Sequence, residues 1–286
     1  FCNKILVVIS DYEVQLNRIV ERDKINKELA EKIKNNDFDF IEKKPVEVLE
    51  NGDTVLKRCE VCGEVTEFKT PQGYTFSRDC ACVRSYRKQA KLKRFKDLSI
   101  TDRNAGSNVF SNAQIDKSNT EERNIYQELY KYAENFSIEK HGYIFGGGVG
   151  TGKTFLANCV CNMLDEKGFS VLSFSLSAYF NKIRKSIDEE ESFISAVKDV
   201  DLVFIDDLGS EYINRENGKM WAEEKIFRLF DERYRAGKPI IITTNLKVGE
   251  LKEHLKINGD DKIYDRLLEM CKYIKFNWES KRKLKI

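Results

Sequence analysis

The sequence predicts an α/β fold built on a five-stranded, mostly parallel sheet with helices on both faces. Three observations carry that prediction. Five apolar runs of strand length, Tyr143–Phe145, Ser170–Phe174, Leu202–Ile205, Pro239–Thr243 and Lys272–Phe276, alternate with helical segments. The first run leads directly into a glycine-rich loop, and a helical run, Phe155 to Leu164, follows that loop. The third run ends in two carboxylates, Asp206 and Asp207. In open α/β sheets, ligands gather at the carboxyl ends of the strands.

A chain of 286 residues suits one large domain or two small ones. Hydrophobic residues make up 41%, enough for a sizeable core. The 49 basic and 47 acidic side chains leave a net charge of +2, so net charge alone makes no case for nucleic acid. No stretch approaches the roughly 20 apolar residues of a membrane span. Ile5–Ile9 is too short for the core of a signal peptide. A cytoplasmic location with no membrane partner is therefore expected. The chain begins with Phe1 rather than Met, and little weight rests on residues 1–10.

Along the chain, residues 1–45 form the first segment. Within it Val14, Leu16, Ile19, Val20, Ile25, Leu29 and Ile33 recur at helical spacing. They predict an amphipathic helix, packed on its own domain or binding a partner. Pro45 and Asn51-Gly52 break that pattern, and short strands and turns are expected over 53–82. A basic run over 84–96 closes a second segment, 46–98. Residues 97–118 are polar and linker-like. Ser118 and Glu121 have capping-box spacing ahead of a helix through Phe136. The third segment, 99–286, holds the α/β domain.

Gly147-Gly148-Val149-Gly150-Thr151-Gly152-Lys153-Thr154 fits the phosphate-binding pattern G-x-x-x-x-G-K-[ST], here between a strand and a helix as the motif requires. Glycines let successive backbone N–H groups turn toward phosphate oxygens, and the helix N-terminus, continuing through Phe155, adds its positive end. Lys153 should reach the β- and γ-phosphates of ATP, and the Thr154 hydroxyl should ligate Mg²⁺. Asp206 is the expected second Mg²⁺ partner, and Asp207 is expected to position or deprotonate the attacking water. Asn245, ending the next strand, can orient water near the γ-phosphate; alone it would be an ordinary turn residue.

Taken in order, GGGVGTGKT, LVFIDDLG, IITTN, YDRLLEM and KFNWES resemble the DnaC/DnaI helicase-loader family of AAA+ ATPases, which also includes the IstB transposition helpers. The resemblance covers about residues 99–286. Asp206–Gly209, Phe230–Pro239 and Phe276–Trp278 narrow it beyond a generic P-loop. It implies that Arg266 is an arginine finger completing the ATP site of an adjacent subunit, hence self-association through that site. It also implies that Arg282 is a sensor arginine. About ten residues follow Phe276, too few for the helical lid of most AAA+ proteins, and loaders of this family are similarly short. Many AAA+ ATPases have Asp-Glu where this chain has Asp206-Asp207. The shorter second carboxylate predicts slow hydrolysis and switch-like use of ATP.

Cys59-x₂-Cys62-x₁₇-Cys80-x-Cys82 places four of the eight cysteines in one short segment. Two close pairs can fold onto one structural, tetrahedral Zn²⁺, with Gly63 suiting the tight turn. The basic run Arg84, Arg87, Lys88, Lys91, Lys93, Arg94 and Lys96 contains Tyr86 and Phe95. It reads as a solvated helix face or as a stripe for single-stranded nucleic acid. Tyr179, Phe180, Lys182, Arg184 and Lys185 are a second candidate for that contact, with a core-facing aromatic pair and exposed charges as the alternative. In the resembled family, the corresponding region of the AAA+ domain is implicated in single-stranded DNA binding, and the amino-terminal region engages a replicative helicase hexamer. The expected function is ATP-dependent loading of that helicase. A transposition helper acting on duplex DNA, or an adaptor that binds ATP without hydrolysing it, are the alternatives.

Overall fold

The computed structural model describes residues 47–101, 104–116, 118–137, 141–211, 219–257 and 259–282. The amphipathic stripe expected over 11–36 lies outside them. The chain divides into two compact units between Arg84 and Ser85.

In the first unit, β1 (Thr54–Arg58), β2 (Val65–Lys69) and β3 (Thr75–Ser77) form an antiparallel sheet in the order β1-β2-β3. Pro71 and Gly73 turn the chain between β2 and β3, where the Gly73 N–H donates to the Thr70 carbonyl at 2.9 Å. Across the sheet Phe68 stacks on Phe76 with centroids 5.8 Å apart. The buried apolar residues described in this unit are Val65 and Cys80. Among the described residues the sheet thus has little apolar burial of its own, and a crosslink between its turns would add to its stability.

Helix α1 (Ala81–Leu98) carries the basic run. All seven of its cationic side chains from Arg84 to Lys96 are exposed, as is Tyr86, whereas Phe95 is buried in a hydrophobic core of the second unit.

The second unit is a five-stranded sheet in the order β5-β6-β7-β4-β8, with every neighbouring pair parallel. The strands are β4 (Gly142–Gly147), β5 (Val171–Ser175), β6 (Leu202–Leu208), β7 (Ile240–Thr244) and β8 (Cys271–Phe276). Each lies on one of the five apolar runs. Alternation along the strands gives each face its own core. Tyr143, Phe145, Leu202, Phe204 and Ile241 pack with α2 (Thr120–Glu134) and α3 (Lys153–Glu166). Ile144, Val203, Ile205, Ile240 and Ile242 pack on the other face. There they meet α4 (Leu176–Ile183), α5 (Ile187–Asp199), α6 (Lys219–Arg235), α7 (Val248–His254) and α8 (Lys262–Met270).

Helix α2 starts one residue later than its capping-box spacing predicts. Asn119 is the cap, its side chain accepting from the Glu122 N–H at 3.1 Å, while Ser118 bonds to Asp116. Asn outcompetes Ser here because Asp116 already engages the serine hydroxyl.

Arg233 on α6 is fully buried. Its guanidinium donates to the carbonyls of Val197 and Val200, each at 2.8 Å, of Asp201 at 2.8 Å and of Pro239 at 2.5 Å. One side chain thereby satisfies the open carbonyls at the end of α5 and ties them to the entrance of β7. Burial lowers its pKa to about 9, leaving it charged at neutral pH. Among the described residues no helix is long and apolar enough to cross a membrane.

Candidate nucleotide and metal sites

The loop Gly147–Thr154 joins β4 to α3 at the carboxyl edge of the sheet. At Gly147 (φ +152°) a Cβ would stand 2.4 Å from the Phe276 carbonyl oxygen, so only glycine fits between β4 and β8. Gly152 caps α3 at φ +95°, a left-handed conformation that side chains disfavour.

Lys153 opens α3 and is 7% exposed. Its ammonium donates to the carbonyls of Gly147 at 2.9 Å and Gly148 at 2.7 Å and to Asn245 Oδ1 at 2.8 Å. Burial pulls its pKa down, against the opposing pull of Asp207 and Asp206. Asn245 Nδ2 donates in turn to Asp207 Oδ1 at 2.8 Å. The asparagine therefore joins the loop lysine to the second carboxylate of β6.

The first carboxylate is held from two sides. Asp206 Oδ1 accepts from the Thr154 hydroxyl at 2.8 Å and from the Thr243 hydroxyl at 2.6 Å. Thr243 Oγ1 also accepts from the Asp207 N–H at 2.8 Å. The pairing of β6 with β7 slips between Ile205 and Leu208, and Asp207 sits in that irregularity at φ +54°. Among the described residues it is the non-glycine residue with positive φ. A bulge of this kind re-aims a side chain, and the conformation it imposes is strained for an L-residue. The Thr154 hydroxyl and the Asp206 carboxylate are hard oxygen donors in contact, a pair suited to Mg²⁺.

The segment after β8 returns over the loop. Trp278 Nε1 donates to the Thr151 carbonyl at 2.8 Å, and the Lys281 N–H donates to the Gly150 carbonyl at 2.8 Å. The Lys281 ammonium pairs with buried Glu122. Between these parts lies a cleft of about 270 Å³ with Ala113, Ile115, Phe155, Leu156 and Trp278 in its wall. It opens beside Thr151 and Gly152 and can take a flat apolar group. Arg282 is exposed and lies beside Gly150. The structure does not bring Arg266 into this cluster. Its guanidinium pairs with Asp231 and lies over the rings of Phe227 and Tyr234, all on α6.

Thr243, Trp278, Lys281 and Glu122 carry no predicted role. Thr243 is the most legible of them, because a hydroxyl on a buried strand beside Asn245 needs a partner.

The four clustered cysteines meet in the first unit, with sulfurs all within 4.8 Å of one another. Cys59 and Cys62 lie in the turn after β1, where the Gly63 N–H donates to the Cys59 carbonyl at 2.9 Å and Gly63 takes φ +73°. Cys80 precedes α1 and Cys82 lies in its first turn. Backbone N–H groups of Cys62 and Val61 pull the Cys59 thiol down to about 7, whereas hydrogen bonding to Cys62 pushes Cys82 up to about 12. Four soft donors this close fit a tetrahedral Zn²⁺. Cys159 and Cys161 instead lie in the core with pKa pushed up to about 12 by burial, as packing residues.

Of the two aromatic-basic stretches, the second turns its rings inward. Tyr179 and Phe180 are 0% and 3% exposed, packed with Phe174 and Phe193. They are core residues, and only Lys182, Arg184 and Lys185 of that stretch reach solvent. In the first, Tyr86 remains available beside the cations.

A family model described as IstB-like ATP binding protein matches residues 76–285. The chain belongs to the IstB-like ATP binding protein family. The match takes in the second cysteine pair and α1 and leaves the first pair outside it. Among curated relatives, the uncharacterized protein YqaM of Bacillus subtilis is 24% identical over 233 residues, 80% of this chain and 70% of YqaM. The replicative helicase loader DnaC of Escherichia coli K12 is 30% identical over 164 residues, 56% of this chain and 63% of the loader's length. A stretch of 33 residues, 12% of this chain, is 91% identical to dephospho-CoA kinase of Fusobacterium nucleatum and spans 17% of that enzyme. So short a share carries no activity with it. Two solved structures share the fold. DnaI superposes with a TM-score of 0.54 over 66% of this chain and 100% of its own, at 20% identity. The DnaC helicase loader gives 0.52 over 61% and 99%, at 22% identity.

Proposed function

We propose that this IstB-like protein is an ATP-dependent loader of a replicative DNA helicase, acting in the cytoplasm. The observation that carries the ATP part is the convergence of Lys153, Asn245 and Asp207 on one side and Thr154, Thr243 and Asp206 on the other. The helicase part rests on the likeness to the E. coli loader.

In this reading the backbone of Gly147–Gly152 cradles the phosphates, with Val149 and Thr151 part of the turn and Phe155 behind it. Lys153 exchanges its loop carbonyls for β- and γ-phosphate oxygens. Thr154 and Asp206 hold Mg²⁺, which supplies charge neutralisation at the phosphates. Asp207 and Asn245 orient water, and the cleft beside Gly152 takes the base. Arg282 lies beside the phosphates of its own subunit, and Arg266 serves the site of a neighbour. Thr243→Val would leave the Asp207 N–H unsatisfied and Asp206 held from one side only. We expect ATP turnover about tenfold lower, in line with the loss of a residue that orients a metal ligand. Phosphate release from a variant that stays folded at the assay temperature checks this, and wild-type turnover would count against it.

Zn²⁺ held by Cys59, Cys62, Cys80 and Cys82 staples the first unit. About one zinc per chain is expected in purified protein, falling toward zero in Cys59→Ser/Cys80→Ser. Elemental analysis decides between that and an apo cluster. The exposed cations of α1, with Tyr86, give single-stranded DNA a charged path with one stacking ring.

The test is co-purification of the replicative helicase from the same genome, with and without ATP, using the full chain and a chain lacking residues 1–84, which keeps Phe95 in the core of the second unit. ATP-sensitive capture by the full chain, lost on truncation, supports the loader reading. Capture in neither state overturns it. The resemblance to the IstB transposition helpers leaves a second reading, a transposition helper acting on duplex DNA. Tighter binding to duplex than to single-stranded DNA, together with no helicase capture, would move that reading to the front.

A further inference from the structure

We propose that Asp231 is a positioning residue for Arg266, holding the guanidinium ready for the nucleotide site of a neighbouring copy of this chain. The inference rests on the reading of Arg266 as a group that acts in trans.

The arrangement around Arg266 is a cradle on three sides. The carboxylate of Asp231, 8% exposed on α6, pairs with Arg266 Nη1. The ring of Tyr234 lies 4.9 Å from the guanidinium carbon and that of Phe227 lies 5.6 Å away. Tyr234 is itself fixed, its hydroxyl donating to Glu269 Oε2 at 2.7 Å. Asp231 also takes Arg235 Nε at 2.7 Å, so one carboxylate serves two arginines and the three groups together keep a positive surplus.

Three features separate this from an ordinary surface ion pair. Asp231 is buried, so its charge is poorly screened and its grip on Arg266 is strong. The aromatic faces fix the plane of the guanidinium as well as its place. The bond to Asp231 uses one end of the fork; a guanidinium offers five N–H donors, and Arg266 remains 25% exposed. An arginine already held in plane loses little conformational freedom when it meets a phosphate, whereas a free side chain would have to be ordered at that moment. Without Asp231 the guanidinium keeps its charge and loses its orientation.

Complementation between two inactive full-length chains tests this. Arg266→Ala keeps a complete nucleotide site and lacks the finger. Lys153→Ala lacks the site and keeps the finger. The readout is ATP turnover of their mixture, then of the same mixture with Lys153→Ala/Asp231→Asn as the donor. Rescue by the first donor, reduced roughly 10–100-fold with the second while KM for ATP is unchanged, is the expected result. The unchanged KM follows because the finger acts on the transition state, while the groups that bind ATP in the ground state are intact in the other chain. Lys153→Ala/Arg235→Ala as donor should rescue normally, since it removes the other partner of Asp231 and leaves Arg266 in its cradle. If the Asp231→Asn donor melts early, Tyr234→Leu replaces it, with the same fall expected. Full rescue by a folded Asp231→Asn or Tyr234→Leu donor overturns the inference while the trans reading stands. No rescue by Lys153→Ala itself overturns the trans reading, and the role of Asp231 falls with it.

Discussion

Lys153→Ala is expected to lower ATP turnover by at least about 100-fold and to remove measurable nucleotide binding. The ammonium is the buried cation of the loop, and it sits among acceptors that a triphosphate can replace. Its loss does more than delete a charge. Asn245 Oδ1 loses its donor, and Asn245 is what holds Asp207 Oδ1, so the second carboxylate loses its orientation too. Stability feels two opposing changes, since three acceptors lose their donor while the cost of burying the charge is removed. Burial lowers the pKa of Lys153, so the folded state disfavours the protonated form that the unfolded chain readily adopts. In the wild-type apo protein the unfolded chain binds the extra proton between the lowered folded pKa and the ordinary lysine value. Stability contributed by this group should therefore rise with pH across that window. The alanine variant lacks both the penalty and its pH dependence. Titration with a fluorescent ATP analogue, phosphate release and a thermal melt separate the effects. A variant that hydrolyses ATP at the wild-type rate would refute the assignment of the site.

Arg233→Met is expected to cost about 4 kcal/mol of folding stability, the scale of breaking a buried charged network. Methionine is close in volume, so packing loss is kept small and the hydrogen bonds are what change. Four carbonyl groups lose a donor, those of Val197, Val200 and Pro239 in buried contacts and that of Asp201 in a half-buried one, and the Pro239 carbonyl keeps the Val203 N–H at 3.5 Å. Each unsatisfied buried acceptor costs about 1–3 kcal/mol. Relief of the charge's own desolvation, visible in the lowered pKa, offsets part of that sum. Because α5 and the start of β7 both hang on this side chain, the loss should appear as a lower urea midpoint with an unchanged slope. An unfolding free energy within about 1 kcal/mol of wild type would show that the carbonyls find other partners.

The phosphate loop was legible because its chemistry is written in consecutive residues. Gly147 to Thr154 needs only the strand before it and the helix after it, and both were visible as an apolar run and a helical one. The four cysteines were legible because a short loop brings two close pairs together whatever the rest of the chain does. Arg233 was not. An arginine on a helix reads as a solvent-facing residue, and its burial follows from where α5 ends and β7 begins, which no local pattern records. Tyr179 and Phe180 fall on the same side of this distinction. Rings among cations suit a stacking platform and a core stripe equally well until the neighbouring Phe174 and Phe193 are in place.

Local order along the chain thus determines the strand and helix sequence, the glycine positions, the lysine and threonine of the loop and the segment in which the four cysteines cluster. These rest on steric and periodic rules that act over a few residues. The tertiary structure alone decides that Thr243 and Thr154 share one oxygen of Asp206, that Asn245 bridges Lys153 to Asp207, and that Trp278 and Lys281 close over Thr151 and Gly150. It also decides that Asp231 holds Arg266. Each of these contacts depends on strand order, on the slipped register between β6 and β7, or on the path of the chain after β8. Those features arise from packing between segments far apart in the chain, where a hydrogen bond has no signature in the residues that flank either partner.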